Sequence, residues 1–203
     1  MLRQRTAILL CLLFFSLMVT PVRAGELQPR AVIQTFYETL LQVMKEGPRL
    51  GFAGRTARLA PAIGQAYNLP LMARLSVGPQ WQGLTAEAGQ AITKAFVDYT
   101  VATYASRFDD YSGETFEVLP ETPPAGGGVI VETRILRSGA DPVSLNYLMR
   151  QSGAGWRIVD VFLNGTVSEL ATRRSEFTSV LRRDGPQALV RLLEQRVQKL
   201  KGS

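Results

Sequence analysis

Apolar and polar residues recur along this chain on two different periods, and the changeover falls near Gly113. Before it the spacing is helical. Val32, Phe36 and Leu40 lie four apart, with Ile33, Tyr37, Leu41 and Met44 widening the stripe, so a helix is predicted from Gln28-Pro29, where proline is tolerated, to Gly47-Pro48, which stops it. Residues 49 to 84 are rich in Gly, Pro and Ala but still carry anchors such as Leu59, Ile63, Tyr67, Met72 and Trp81. Short helices broken at Asn68-Leu69-Pro70 and Val77-Gly78-Pro79 are expected there. Thr85 is placed to cap a longer helix running to about Phe108, with Ile92, Phe96, Tyr99 and Thr103 on its inner face and Val101 and Tyr104 broadening it.

Beyond Gly113 the period drops to two, which predicts strands at 114–119, 129–138, 143–151 and 156–163. The connections Ser138 to Pro142 and Ser152-Gly153-Ala154-Gly155 are short enough for hairpins, so the sheet should be mainly antiparallel. A helix near 168–183 follows, with Leu170, Phe177 and Leu181 on one face. Asp184-Gly185-Pro186 breaks it, and a last amphipathic helix carries Leu189, Leu192, Leu193, Val197 and Leu200. Helices, then about four strands, then helices describe an α+β fold: a single domain with helices packed on a twisted sheet. No repeat or linker divides it.

Strand faces add one more inference. Val143, Leu145, Tyr147 and Met149 share a face. In 156–163, strict alternation puts Val159, Val161 and Leu163 on one side and Trp156, Ile158 and Phe162 on the other. A strand apolar on both sides is either a core strand between layers or one wall of a cavity for an apolar ligand.

Composition narrows the chemistry. The first residues hold Arg3 and Arg5, then an uncharged apolar run from Ala7 to Val19, then Val22-Arg23-Ala24 before Gly25, the layout of a cleavable signal peptide over 1–24. Cys11 follows Leu9 and Leu10, without the small residue of a lipoprotein signal. The working domain is therefore expected to be 25–203, exported and unlipidated. Residues 1–24 hold three arginines and no acid, so of the formal charge of +6 only +3 remains, too little for a nucleic-acid footprint. The only cysteine leaves with the signal, and the chain has no histidine. This removes disulfides, His-dependent triads and the usual His or Cys metal sites, so no metal or other cofactor is expected. A carboxylate mechanism through Glu132 and Asp160 would need both in one cleft.

Other motifs have bland readings. Ala125-Gly126-Gly127-Gly128 lacks the Lys-Ser or Lys-Thr of a phosphate loop and leads into a strand. Asp109-Asp110 with Glu114 lacks calcium-loop spacing. Ser168 is placed as an N-cap. Arg173, Arg174, Arg182 and Arg183 fall on a helical stretch, assigned to the side opposite Phe177 and Leu181, as a solvated face or as contacts for lipid phosphates or an acidic partner.

Several of these segments, in order, resemble the MlaC or toluene-tolerance family of periplasmic lipid-binding proteins. They are Phe96 to Tyr111 (FVDYTVATYASRFDDY), Val143 to Tyr147, Gly155-Trp156-Arg157-Ile158-Val159-Asp160-Val161, Ser168, Arg174-Ser175-Glu176-Phe177 and Leu181-Arg182-Arg183-Asp184-Gly185. At Gly165-Thr166-Val167-Ser168 the chain has one residue more than the phospholipid branch, and Arg173 replaces a Tyr before Arg174. In both respects it looks closer to the hopanoid-associated HpnM branch. The resemblance implies a non-enzymatic carrier of a phospholipid or hopanoid with a deep apolar pocket, located in the periplasm. Its implied partners are an inner-membrane ABC-type lipid transporter and an outer-membrane complex. Facing and resemblance together give Tyr104, Tyr147, Met149, Val161, Leu163, Phe177 and Leu181 as the expected lipid-binding wall, Arg174 and Arg182 as headgroup or partner contacts, and Trp156 as structural. The rival reading is an envelope interaction module that holds no lipid.

Overall fold

The computed structural model describes residues 28–123 and 127–202. The expected signal peptide, and Ala125 and Gly126 of the glycine-rich loop, lie outside them. Helix α1 (Pro29–Lys45) buries the predicted stripe from Val32 to Met44. Its first turn has no side-chain cap of its own. Instead the Arg30 backbone N–H donates to Glu121 Oε1 at 3.1 Å, a carboxylate brought from the sheet to the positive end of the helix.

Gly47 ends α1 as expected, but the chain re-enters helix at once. α2 (Gly47–Ala66) is kinked at Gly51, whose φ is +60. A Cβ at Gly47 would lie 2.0 Å from the Asp109 carbonyl oxygen, so this close approach requires glycine. The buried Arg55 fastens the junction, donating from Nε to Ala105 O at 2.7 Å and from a terminal nitrogen to Gly47 O at 3.0 Å. α3 (Leu69–Val77), a 3-10 turn (Gly78–Gly83) and α4 (Ala86–Arg107) follow, broken at the two proline sites; Asn68 and Thr85 cap α3 and α4.

Five strands form one antiparallel sheet in sequential order: β1 (Thr115–Thr122), β2 (Val129–Arg137), β3 (Ala140–Ser152), β4 (Gly155–Leu163) and β5 (Val167–Ser168). The fifth is two residues long, too short to show a period in the sequence. Gly128, at φ +98, brings its Cα so close to Met149 that a Cβ would sit 2.4 Å from that carbonyl oxygen, which accounts for a glycine just before β2. α5 (Glu169–Asp184) and α6 (Pro186–Lys201) close the chain; α6 packs along α4 and α5.

Register corrects one expectation from alternation. Tyr147 pairs with Val161 and Leu148 with Asp160, but Met149 pairs with Ile158, so β4 carries one extra residue at Val159. Partners in an antiparallel pair share a face. Ile158 and Trp156 therefore return to the side of Val161 and Leu163, and Asp160 faces away from Trp156. The strand that alternation makes apolar on both sides is largely apolar on one, interrupted by a bulge.

Both sheet edges are blunted. β1 carries Pro120, which has no N–H, and a register shift between Val118 and Glu121. The outer side of β4 is taken by β5 at one end and by Tyr67 at the other, where Asn68 N donates to Ile158 O at 2.9 Å.

Candidate functional site

The inner face of the sheet and the helical layer do not close completely. Ile135, Val143, Leu145, Val161 and Leu163, a contiguous patch on three strands, form one wall of a cavity of about 200 Å³. Thr100, Thr103, Tyr104 and Arg107 of α4, with Phe108 just beyond its end, form the other, Tyr67 and Met72 add to the wall, and Glu169 and Arg173 of α5 complete the lining. The threonines bring no free hydroxyl to it, because Thr100 donates to Phe96 O at 2.8 Å and Thr103 to Tyr99 O at 2.7 Å.

Adjoining the apolar walls lies an aromatic cluster. Phe36 meets Tyr67 and Tyr104 edge-on at 5.5 and 5.4 Å, Tyr104 stacks on Phe108 at 5.6 Å, and Tyr37 lies 4.6 Å from Phe116. The phenols pair among themselves: Tyr67 with Tyr104, and Tyr37 with Tyr147 at 3.0 Å and with Thr133 Oγ1 at 2.6 Å; Thr133 donates to Leu145 O. Burial is the first cause in raising the pKa of all four tyrosines, so they stay neutral.

The charged part is built differently. The Arg173 guanidinium lies 5.5 Å from the Phe96 ring centre and 5.2 Å from that of Tyr99, with Arg196 of α6 on Tyr99 at 5.7 Å. Glu169 Oε2 stands 3.4 Å from Arg173, and their side chains are 23% and 15% exposed.

Of the residues expected to line a pocket, Tyr104, Val161 and Leu163 do so. Tyr147 is fully buried in the tyrosine cluster, and Met149, also fully buried, lies further along β3. Phe177 is core, and Leu181 is half-buried against it. Arg174 donates from Nε to Leu75 O at 3.0 Å, docking α5 on α3, while Arg182 is exposed. Arg173 departs from the face assigned to it: it points to the inner side with Phe177. The signal was present, because Arg173 falls three residues after Leu170 and four before Phe177, on the apolar stripe itself. The other lining residues of α4 needed the rotation of that helix.

Glu132 and Asp160 do not meet. β3 lies between their strands, which separates them by about 10 Å or more at normal strand spacing. Glu132 pairs with Thr122 at 3.4 Å. Asp160 accepts from Val161 N at 2.8 Å, Leu170 N at 3.2 Å and Ser168 Oγ at 2.6 Å, and Ser168 in turn caps α5 by accepting from Ala171 N at 3.0 Å. Among the described residues, the one carboxylate in the cavity lining is Glu169.

These features define an α+β domain built around a mainly apolar cavity, edged by charge, between an antiparallel sheet and a helical layer. The chain belongs to the MlaC protein family, which matches residues 34–195. Among solved structures, the phospholipid-binding protein from Ralstonia solanacearum, determined in complex with a phospholipid, shares the fold. It superposes with a TM-score of 0.75 at 23% identity, over 86% of this chain and 99% of that one.

Proposed function

We propose that the protein is a periplasmic lipid carrier: exported by a cleaved signal peptide over 1–24, it sequesters the apolar part of a phospholipid or hopanoid and moves it between membranes without covalent chemistry. The observation that carries this reading is the cavity, apolar on its sheet side and bordered by charge on α5. Membership of the MlaC family and a relative of the same fold that holds a phospholipid support it. An inner-membrane lipid transporter and an outer-membrane complex are the partners such a carrier needs.

Size adds a mechanical requirement. The cavity is comparable to the roughly 150 Å³ engineered cavities that accept benzene, and so takes a segment of one chain. A two-chain lipid requires the helical layer to move off the sheet. Each buried methylene contributes about 0.8 kcal/mol, so about ten of them give roughly 8 kcal/mol toward that opening.

Native mass spectrometry of the protein purified from its own cell envelope tests the proposal, with solvent extraction to identify what is bound. A stoichiometric phospholipid or hopanoid is expected. Protein that is reproducibly free of lipid and takes up neither class from vesicles would overturn it in favour of an interaction module.

A further inference from the structure

We infer that Arg107 and Arg173 form an anion subsite on the cavity, which reads the charged headgroup of the bound lipid, with Glu169 as its built-in competitor. This deepens the carrier reading and rests on it. Arg173 belongs to α5 and Arg107 to α4, yet both line the same cavity. The charge of each also acts on the Tyr104 phenol, in the direction that opposes its burial.

Arg173 is largely withdrawn from water, a costly position for a cation unless its donors are used. The Phe96 and Tyr99 rings offer the guanidinium their π faces but no oxygen lone pair for its five N–H donors. Glu169 answers only some of them, and at 3.4 Å it is well outside the roughly 2.7–2.9 Å of a strong charge-assisted bond. Arg107 is exposed and enters no ion pair among the described residues. Two guanidiniums against one carboxylate leave a net positive charge beside an apolar wall. The group that fits is the anionic end of an amphiphile, a phosphate or a carboxylate, because a guanidinium fork matches two oxygens at once.

The test uses the purified protein and three probes with the same oleoyl chains: dioleoylphosphatidylglycerol, uncharged dioleoylglycerol and oleate. Phosphatidylglycerol is expected to bind about ten-fold or more tightly than dioleoylglycerol, as one charge-assisted contact provides. Arg107→Gln, at an exposed position that spares the fold, should weaken phosphatidylglycerol several-fold more than dioleoylglycerol. Glu169→Gln should tighten phosphatidylglycerol, a gain that no merely structural role gives. Oleate following phosphatidylglycerol through these variants assigns the subsite to anions in general; oleate following dioleoylglycerol assigns it to phosphate, and either result supports the subsite. Equal binding of phosphatidylglycerol and dioleoylglycerol, or parallel losses in Arg107→Gln, would overturn the subsite while leaving the carrier intact. Failure to bind any of the three overturns the subsite and the phospholipid form of the carrier reading, and leaves the hopanoid form to uptake from hopanoid-containing vesicles.

Discussion

The phenols of Tyr37, Tyr67, Tyr104 and Tyr147 resist losing their protons, since each is held in its neutral form chiefly by burial. Their folded pKa values lie above the ordinary 10, so their contribution to stability is complete below pH 10 and is lost as pH rises further, where the unfolded chain releases protons that the native state retains. Each such group gives a slope of up to about 1.4 kcal/mol per pH unit between pH 10 and its folded pKa. Urea midpoints should be level from pH 7 to 9 and fall steeply beyond; a level profile through pH 11 would contradict the burial of the cluster. Thr103 offers a second test at this scale. Its hydroxyl only returns a bond to its own helix, so Thr103→Phe should fill the cavity at a cost of about 1–3 kcal/mol and abolish lipid retention in native mass spectra.

At the scale of elements, α5 depends on β4. Asp160 accepts from the Leu170 amide and from the hydroxyl that caps the helix, so one carboxylate joins the bulged strand to the helix that supplies Glu169 and Arg173. Asp160→Asn should cost about 1–3 kcal/mol in urea unfolding and speed amide exchange in the first turn of α5. The α1–α2 junction is equally specific: Gly47→Ala drives a methyl into the Asp109 backbone and should cost about 2–4 kcal/mol. These elements also show what sequence pattern conveys. Caps at Thr85 and Ser168, breaks at the proline sites and the inner stripe of α1 follow from local chemistry and are visible in the chain. The bulge at Val159 is not, because a single inserted residue leaves each neighbouring dipeptide unchanged and shows only in pairing with β3. Facing on β3 found Val143 and Leu145 as one surface, but which part of it borders the cavity depended on where α4 crosses. Arg173 and Arg174 are adjacent letters with different duties, and only the phase of Leu170 and Phe177 separates them.

For the molecule as a whole, the proposed carrier role predicts that bound lipid stabilises the fold through mass action. Lipid at about one hundred times its dissociation constant should add about 2.7 kcal/mol. Delipidated protein should therefore melt lower than loaded protein, by an amount that grows with lipid concentration; coincident melting curves would show that the cavity takes nothing. A protein that separates its layers to admit an amphiphile also risks exposing strands. Here the guarded sheet margins matter. Pro120 and the irregular register deny one side of the sheet to an incoming chain, and β5 with the Tyr67 segment covers the other. Should the helices ever move away, a second molecule would still find no straight row of backbone donors to extend, and the seed of a cross-β aggregate is missing from both margins.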